Sequence, residues 1–415
     1  MDILKKHVLK LSHNELDDPK IMLEISENIA KQDFDLDIYK LIKKYKDEID
    51  NVSNPKIWDF SKKLSNMFEM IHINNKGKTN NLGIANYDPI SRSYFKMWEM
   101  ITDLNLIDFQ KKKLNVVCLA EGPGGFVECI CNMRKKYSNY TDDNITCMTL
   151  RSYRNVVPGW NKSGKIFREN KGLRIFYGKD DTGDLYKSEN IISLKNLVKS
   201  NKADLVTADG GFDFSMNYNH QEQLSLRLLI VESISALACL NEGGHYVLKI
   251  FDIHTKLTVK LIYFLTIYFK NVYITKPFTS RPANSEKYIV CKNFIGISEN
   301  YLNELIYLVS EWEILDEQNK LVQDIFPELS VPVKFQEGLK LYNRHLASIQ
   351  IKNILKTLCY INLSIENNHI NHIKQNQAIV SSLWCHKYNL PINIKCKFLK
   401  DNIEHYNYIP NFMNY

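Results

Sequence analysis

From about residue 114 onward, short apolar runs alternate with segments whose apolar positions recur every three or four residues. Strand-like runs fall at Leu114–Leu119, Ile145–Leu150, Leu173–Tyr177, Asp204–Ala208, His245–Phe251, Val272–Thr275 and Tyr288–Cys291. Helical spacing fills most of the gaps, at Phe126–Arg134, Glu189–Val198, Gln221–Cys239 and Thr255–Phe269. Parallel neighbours need a crossover of this kind, so the alternation predicts an α/β fold with a mainly parallel sheet and helices on both faces. About a dozen residues, interrupted by Pro277 and Pro282, separate the last two runs. No helical crossover fits there, and the last strand is expected to be antiparallel.

The flanks read differently. Residues 1–87 are expected to form a helical module and hinge. Leu4, Val8 and Leu11 share one helical face, Ile21, Ile25 and Ile29 repeat every four residues, and Ile38, Leu41 and Ile42 continue the pattern. His72 to Tyr87 reads as a loop. Pro89–Leu104 predicts a helix with an apolar stripe of Tyr94, Met97, Trp98 and Ile101. The central domain is expected over 88–295. Residues 296–415 predict a mostly helical module, with Tyr301–Trp312 and Phe335–Leu358 as its helices.

The candidate chemistry gathers at strand ends, where open α/β sheets bind ligands. After the first run comes Glu121-Gly122-Pro123-Gly124-Gly125-Phe126, a glycine turn leading into a helix. The glycines leave no Cβ in the way of a close approach. Glu121 would repel a pyrophosphate. The loop therefore suits a neutral-to-cationic ligand with ribose hydroxyls and an amino acid tail, and S-adenosylmethionine fits. The fourth run ends in Asp209-Gly210-Gly211, and the fifth contains Lys249 inside an apolar stretch. A buried lysine needs a partner, and Asp209 is the obvious one. A structural ion pair and a tuned reactive lysine both satisfy these two residues.

Bulk properties narrow the picture modestly. The chain has 415 residues and a formal net charge of +7, mildly basic and compatible with nucleic acid. Nine cysteines lie scattered, several in apolar runs, and read as reduced thiols of an intracellular protein. The cysteines show no metal-ligand spacing. The start, Met1 to Lys10, lacks a signal-peptide core. The longest apolar run, Leu257–Phe269, is broken by Lys260 and too short to span a bilayer.

Two further stretches complete a set: Ser91-Arg92-Ser93-Tyr94-Phe95-Lys96 and Thr279-Ser280-Arg281-Pro282-Ala283-Asn284-Ser285-Glu286. With the glycine loop, the Asp209 turn and the Lys249 strand, they closely resemble the FtsJ/RrmJ-like ribose 2′-O-methyltransferases. The likeness is nearest to the eukaryotic and viral cap-specific mRNA branch. It covers roughly Ser91 to Asn293.

The resemblance implies a Rossmann-like methyltransferase fold of seven strands, with S-adenosylmethionine as cofactor and no metal. It also implies a Lys-Asp-Lys-Glu tetrad on Lys96, Asp209, Lys249 and Glu286. Lys249 is expected to deprotonate or polarise the 2′-hydroxyl, with Lys96 and Asp209 positioning it and Glu286 orienting the lysines. The cofactor shell falls on Glu121, Gly122, Pro123, Gly124, Gly125, Phe126, Asp184 and Asp209. Leu150-Arg151 stands where older bacterial members carry an acid, which leaves the ribose contact open.

RNA, most readily a capped mRNA 5′ end, is the implied substrate. Arg92, Arg151, Arg154, Lys276 and Arg281 are candidate RNA contacts, and Tyr153 and Trp160 could stack on a base or simply pack. The helical flanks could dock a capping enzyme, polymerase or other partner. Cytoplasm, viral factory or nucleus would suit such work. A ribosomal or transfer RNA ribose methyltransferase and an RNA-binding scaffold on the same fold remain open alternatives.

Overall fold

The computed structural model describes residues 4–73, 83–140, 142–151, 158–211, 218–363 and 367–399. Its elements run β1 (Val8–Ser12), β2 (Glu24–Ser26), α1 (Leu36–Asp50), α2 (Pro55–Ser65), α3 (Ser93–Leu104), β3 (Asn115–Leu119), α4 (Gly125–Tyr137), β4 (Asn144–Met148), α5 (Gly164–Glu169), β5 (Leu173–Ile175) and α6 (Ser188–Val198). They continue as β6 (Ala203–Ala208), α7 (Gln221–Cys239), β7 (Leu240–Ile250), α8 (Lys256–Tyr268), β8 (Phe269–Thr275), β9 (Lys287–Phe294), α9 (Glu299–Glu317), β10 (Leu321–Asp324), α10 (Val333–Asn362) and α11 (Asn367–Lys387).

One eight-stranded sheet, in the order β1-β8-β9-β7-β6-β3-β4-β5, forms the centre. β3 to β7 pair in parallel, whereas β9 is antiparallel to both β7 and β8. The reversal follows from chain length. Residues 276–286 are too few to carry a helix across the sheet, so the chain turns back beside β8. Alternation along the strands feeds two cores. Val117, Leu119, Val206 and Leu248 join the α6–α9 side, while Val116, Cys118, Leu205 and Val247 join the α3, α4 and α11 side. This is the expected mixed α/β architecture.

The N-terminal segment departs from its helical reading. Leu4, Val8 and Leu11 do not share a helix face. Val8–Ser12 is a strand, antiparallel to β8 from Val8 opposite Thr275 to Ser12 opposite Asn271. Its inward side chains are Leu9 and Leu11, a period of two that the spacing of Val8 and Leu11 concealed. The physical reason is the open edge of β8, whose backbone groups pair with β1 instead of facing solvent. Ile25 and Ile29 are exposed, and β2 pairs with β10, a strand in a region expected to be helical. α10 then packs across α1 and α2. Among the described residues, no helix is long and apolar enough to cross a membrane.

Candidate active site

β6 and β7 run in register, with Ala208 beside Leu248. The next residue on each chain therefore emerges beside the other at the carboxyl end of the sheet, and these residues are Asp209 and Lys249. The Lys249 Nζ lies 3.3 Å from the Asp209 Oδ1 and donates to the Asp209 carbonyl at 2.6 Å. Gly210 and Gly211 follow for steric reasons. A Cβ on Gly210 would fall 2.2 Å from the Glu232 Oε1, and one on Gly211 would fall 3.2 Å from the Lys249 Nζ. Burial alone would lower the Lys249 pKa. The Asp209 and Glu286 carboxylates, joined by Glu232 when it is ionised, outweigh it, and the net shift is upward. Lys249 therefore stands as an ammonium.

The second pair comes from a helix and a loop. Lys96, in the first turn of α3, reaches the Glu286 Oε1 at 2.7 Å. Burial would raise the Glu286 pKa, but Lys96, Lys249 and Lys276 pull it down to about 2. The 276–286 segment is tied down at several points. Glu99, one turn beyond Lys96, accepts from the Phe278 and Thr279 N–H groups, each at 2.8 Å, and from the Thr279 hydroxyl at 2.7 Å. Arg281 forks onto Glu69 at 3.0 and 2.8 Å. The Lys276 amine donates to the Asn284 carbonyl at 2.9 Å and the Glu286 carbonyl at 2.6 Å. Burial, opposed by Glu286, pushes Lys276 down to about 7.

A tyrosine joins the two pairs. The Tyr288 hydroxyl lies 3.0 Å from the Asp209 Oδ1 and 3.2 Å from the Glu286 Oε1. One phenolic proton is thus offered to two carboxylates. Burial, reinforced by Asp209 and Glu286, raises the Tyr288 pKa far above its ordinary value, so it remains a donor. The result is one continuous line, Lys96–Glu286–Tyr288–Asp209–Lys249. It places two cations and a hydroxyl donor around two carboxylates, an arrangement able to hold a hydroxyl and stabilise negative charge forming on it.

The glycine loop lies at the end of β3, next to Asp209's strand. Each glycine has a specific neighbour within the protein. A Cβ on Gly122 would come 1.9 Å from the Pro158 carbonyl oxygen, and one on Gly125 would come 2.1 Å from the Ser93 Oγ. Gly124 has φ 102°, and a Cβ there would meet the Trp160 ring at 3.1 Å. These glycines admit the protein's own close packing, which brings the starts of α3 and α4 together. The ligand-facing signal is Glu121. It is buried with no cation or backbone donor on its carboxyl, its polar neighbours being the Thr207 hydroxyl and the Cys118 thiol. Burial pushes its pKa far up, so it is a neutral acid when alone. The Trp160 indole N–H is buried and unpartnered. Such donors and acceptors at a strand end fit a ligand bearing hydroxyl and amine groups.

The other candidate residues are placed as follows. Asp184 accepts from the Tyr186 N–H at 2.9 Å in a turn, while Asp180 gathers Thr182, Asn190 and Lys187. Arg92 directs its donors inward, to the Thr279 and Phe68 carbonyls, both at 2.8 Å. Arg92, Arg281 and Lys276 all brace the 276–286 segment. Arg151 pairs with Asp181 and lies 3.9 Å above the Tyr177 ring. Trp160 is buried edge-to-face on Phe167. Arg154 and Tyr153 lie outside the described residues.

Sequence reasoning missed Tyr288, Glu69, Glu99 and Glu232. Tyr288 was available from spacing, since residues two apart on an extended segment face the same way and Glu286 precedes it by two. Glu232 was available by the logic applied to Lys249, as a charge inside an apolar run. Glu69 and Glu99 carry no such signal.

Residues 89–294 match the family model described as FtsJ-like methyltransferase. The chain is 34% identical over 254 residues to a mouse protein named cap-specific mRNA (nucleoside-2′-O-)-methyltransferase 1, covering 58% of this chain and 29% of that one. It is 33% identical over 235 residues to a Trypanosoma cruzi protein of the same name, covering 55% of this chain and 61% of that one. The chain thus spans less than two thirds of each relative's length. Among solved structures it is similar to the Plasmodium falciparum protein assigned as a ribosomal RNA methyltransferase, with a TM-score of 0.35 and 22% identity over 50% of this chain and 99% of that one.

Proposed function

We propose, from the match of residues 89–294 to the FtsJ-like methyltransferase model, that the chain methylates a ribose 2′-hydroxyl at the capped 5′ end of mRNA, using S-adenosylmethionine. The observation that carries this reading is the line from Lys96 to Lys249 at the strand ends. The names of the relatives support a cap-proximal target.

S-adenosylmethionine, when bound, supplies an electrophilic methyl group. Glu121 and Asp209, with the backbone of Gly122 to Phe126, would hold it. Glu121 would lose its proton when an ammonium group arrives, since no other cation faces it. The remaining work falls to the line of side chains. A ribose hydroxyl is a weak nucleophile. Its proton leaves to water as the oxygen–hydrogen bond gives way to an oxygen–methyl bond, the sulfur keeping the electron pair of its own bond to the methyl, and negative charge develops on the oxygen as that proton departs. Lys249 meets that charge as an ammonium, donating a hydrogen bond and taking up the role of electrostatic stabiliser. Asp209 aims the amine from one side. Lys96 and Glu286 fix the opposite wall, and Tyr288 keeps the carboxylates at one spacing. Holding the hydroxyl in line is itself worth several orders of magnitude in rate.

The test is transfer of labelled methyl to short RNAs that differ only in the cap, followed by identification of the modified nucleotide. Label on a cap-proximal ribose is expected. Equal label on internal riboses of uncapped RNA overturns the cap assignment. An RNA partner and an RNA-processing compartment follow from the same reading. The α1, α2, α10 and α11 surfaces are where a protein partner would dock.

A further inference from the structure

Glu232 takes no part in the line of contacts above, yet it lies directly against it. It sits within α7, in the run Leu228-Leu229-Ile230-Val231-Glu232-Ser233-Ile234, and its relative exposure is 0%. Neither carboxyl oxygen has a side-chain hydrogen-bond partner; the backbone N–H of Gly210 is the donor that lies against it. A carboxylate without a side-chain partner in an apolar setting is costly, whereas a neutral acid costs much less. The side chain presses on the turn after Asp209. That turn touches Glu232 through Gly210 and Lys249 through Gly211, at the distances given above.

The titratable groups facing it come from three elements. They are Lys249 and Tyr246 of β7, Asp209 at the end of β6, and Tyr186 before α6. Lys249 is the one cation among them. Burial pushes the Glu232 carboxyl up to about 8; Asp209 adds to the rise, while Lys249 and the Gly210 N–H oppose it.

We propose that Glu232 is a positioning residue that must stay uncharged for methyl transfer. As a neutral acid it leaves the positive charge of Lys249 free for the 2′-oxygen. As a carboxylate, formed by release of its proton to water, it draws that charge back toward α7 and adds negative potential beneath the reacting oxygen. The role rests on the methyl-transfer reading above.

The experiment is the pH profile of kcat on capped RNA for the wild type, Glu232→Gln and Glu232→Asp. Groups common to all three cancel in the ratio of variant to wild type. The Gln-to-wild-type ratio should rise by about tenfold between about pH 7 and 9, as a group with a pKa of about 8 goes from mostly protonated to mostly ionised. The Asp variant keeps an ionisable group and should keep a pH-dependent loss. A flat Gln ratio overturns the role. No transfer by the wild type at any pH refutes the functional reading, and the role with it; transfer with a flat ratio refutes only the role.

Thermal unfolding gives a readout independent of activity. A carboxyl whose folded pKa is raised costs stability progressively as pH rises from its ordinary 4.5 to about 8, and no further above that. Wild-type stability should therefore fall relative to Glu232→Gln across that window and level off. Parallel curves overturn the proposal. Should the Gln variant not fold, the wild-type profile decides: a fall in kcat between about pH 7 and 9 supports the role, and no fall overturns it.

Discussion

Asp209 and Lys249 stand together because two strands are in register, whereas Lys96 and Glu286 stand together because a loop is tied down. The first pair needs only the β6–β7 ladder and two glycines. Any chain that forms that ladder with an acid and a lysine at those positions obtains the contact. The second pair depends on groups distant in sequence: Glu99 on the Phe278 and Thr279 amides, and Glu69 on Arg281. Glu69 lies before the family-matched span, and Lys6, still earlier, pairs with Glu99 at 2.7 Å. Register positions a side chain through the sheet that is being built anyway. A loop needs buried charges brought from elsewhere, and those charges are costly if left unpaired.

The largest effect should come from the strand-mounted half. Lys249→Ala is expected to lower kcat by about 10³ with cofactor affinity retained, because it removes the stabiliser of the forming oxyanion. Lys249→Arg should not restore activity, since a planar fork does not replace a compact ammonium. Single-turnover methyl transfer and calorimetry would measure both, and near-normal turnover in the arginine variant would mean that fixed charge suffices.

Next comes the anchor of the loop-mounted half. Glu69→Ala leaves Arg281 and Arg92 without their carboxylate, at a cost of about 3 kcal/mol of stability. Urea unfolding should show that loss, and kcat should fall although Glu69 does not line the Asp209–Lys249 pair. Equal stability and activity would show that the loop is held by other means.

Tyr288→Phe tests the link between the halves. It should lower kcat by about tenfold, in keeping with about 1.4 kcal/mol for one hydrogen bond to charged groups. Asp209 and Lys249 should stay paired, so cofactor affinity should not change.

The smallest effect is expected in mild acid. Glu286 has its pKa lowered from 4.5 to about 2, so its ionised pairing adds stability that is complete above pH 4.5 and lost as pH falls through about 2. Thermal midpoints of the wild type and Glu286→Gln should keep a constant separation near neutrality. They should begin to converge below about pH 4.5. A separation that is constant into acid would mean that Glu286 is not the carboxylate held by the lysines.

The contrast between halves also explains what could be read from the sequence. The central sheet, its order of helices and the reversal of the last strand follow from local period and gap length, which the chain states openly. Lys249 and Asp209 were legible for the same reason, one as a cation in an apolar run and the other at a strand end. Glu286 and Lys96 were legible only through resemblance, because no local rule marks a loop glutamate or a helix lysine. Glu69 and Glu99 act through space, across sequence distances that periodicity cannot report. β1 was lost to an ambiguity of spacing: in Val8-Leu9-Lys10-Leu11, three-residue and two-residue periods share Leu11. The glycine loop was recognised, but the space its glycines provide is filled by Pro158, Trp160 and Ser93.

The eighth strand has a consequence for synthesis. β1 is made before β8, its partner, which follows more than 250 residues later; the neighbouring contact from His13 to Thr266 already spans 253 positions. At a translation rate of about 5–20 residues per second, β1 waits on the order of tens of seconds for an edge to pair with. The strand that closes one side of the finished sheet is therefore made long before its partner and is among the last to dock. Until it does, the open edge of β8 and the free backbone of β1 are both exposed to any other strand nearby.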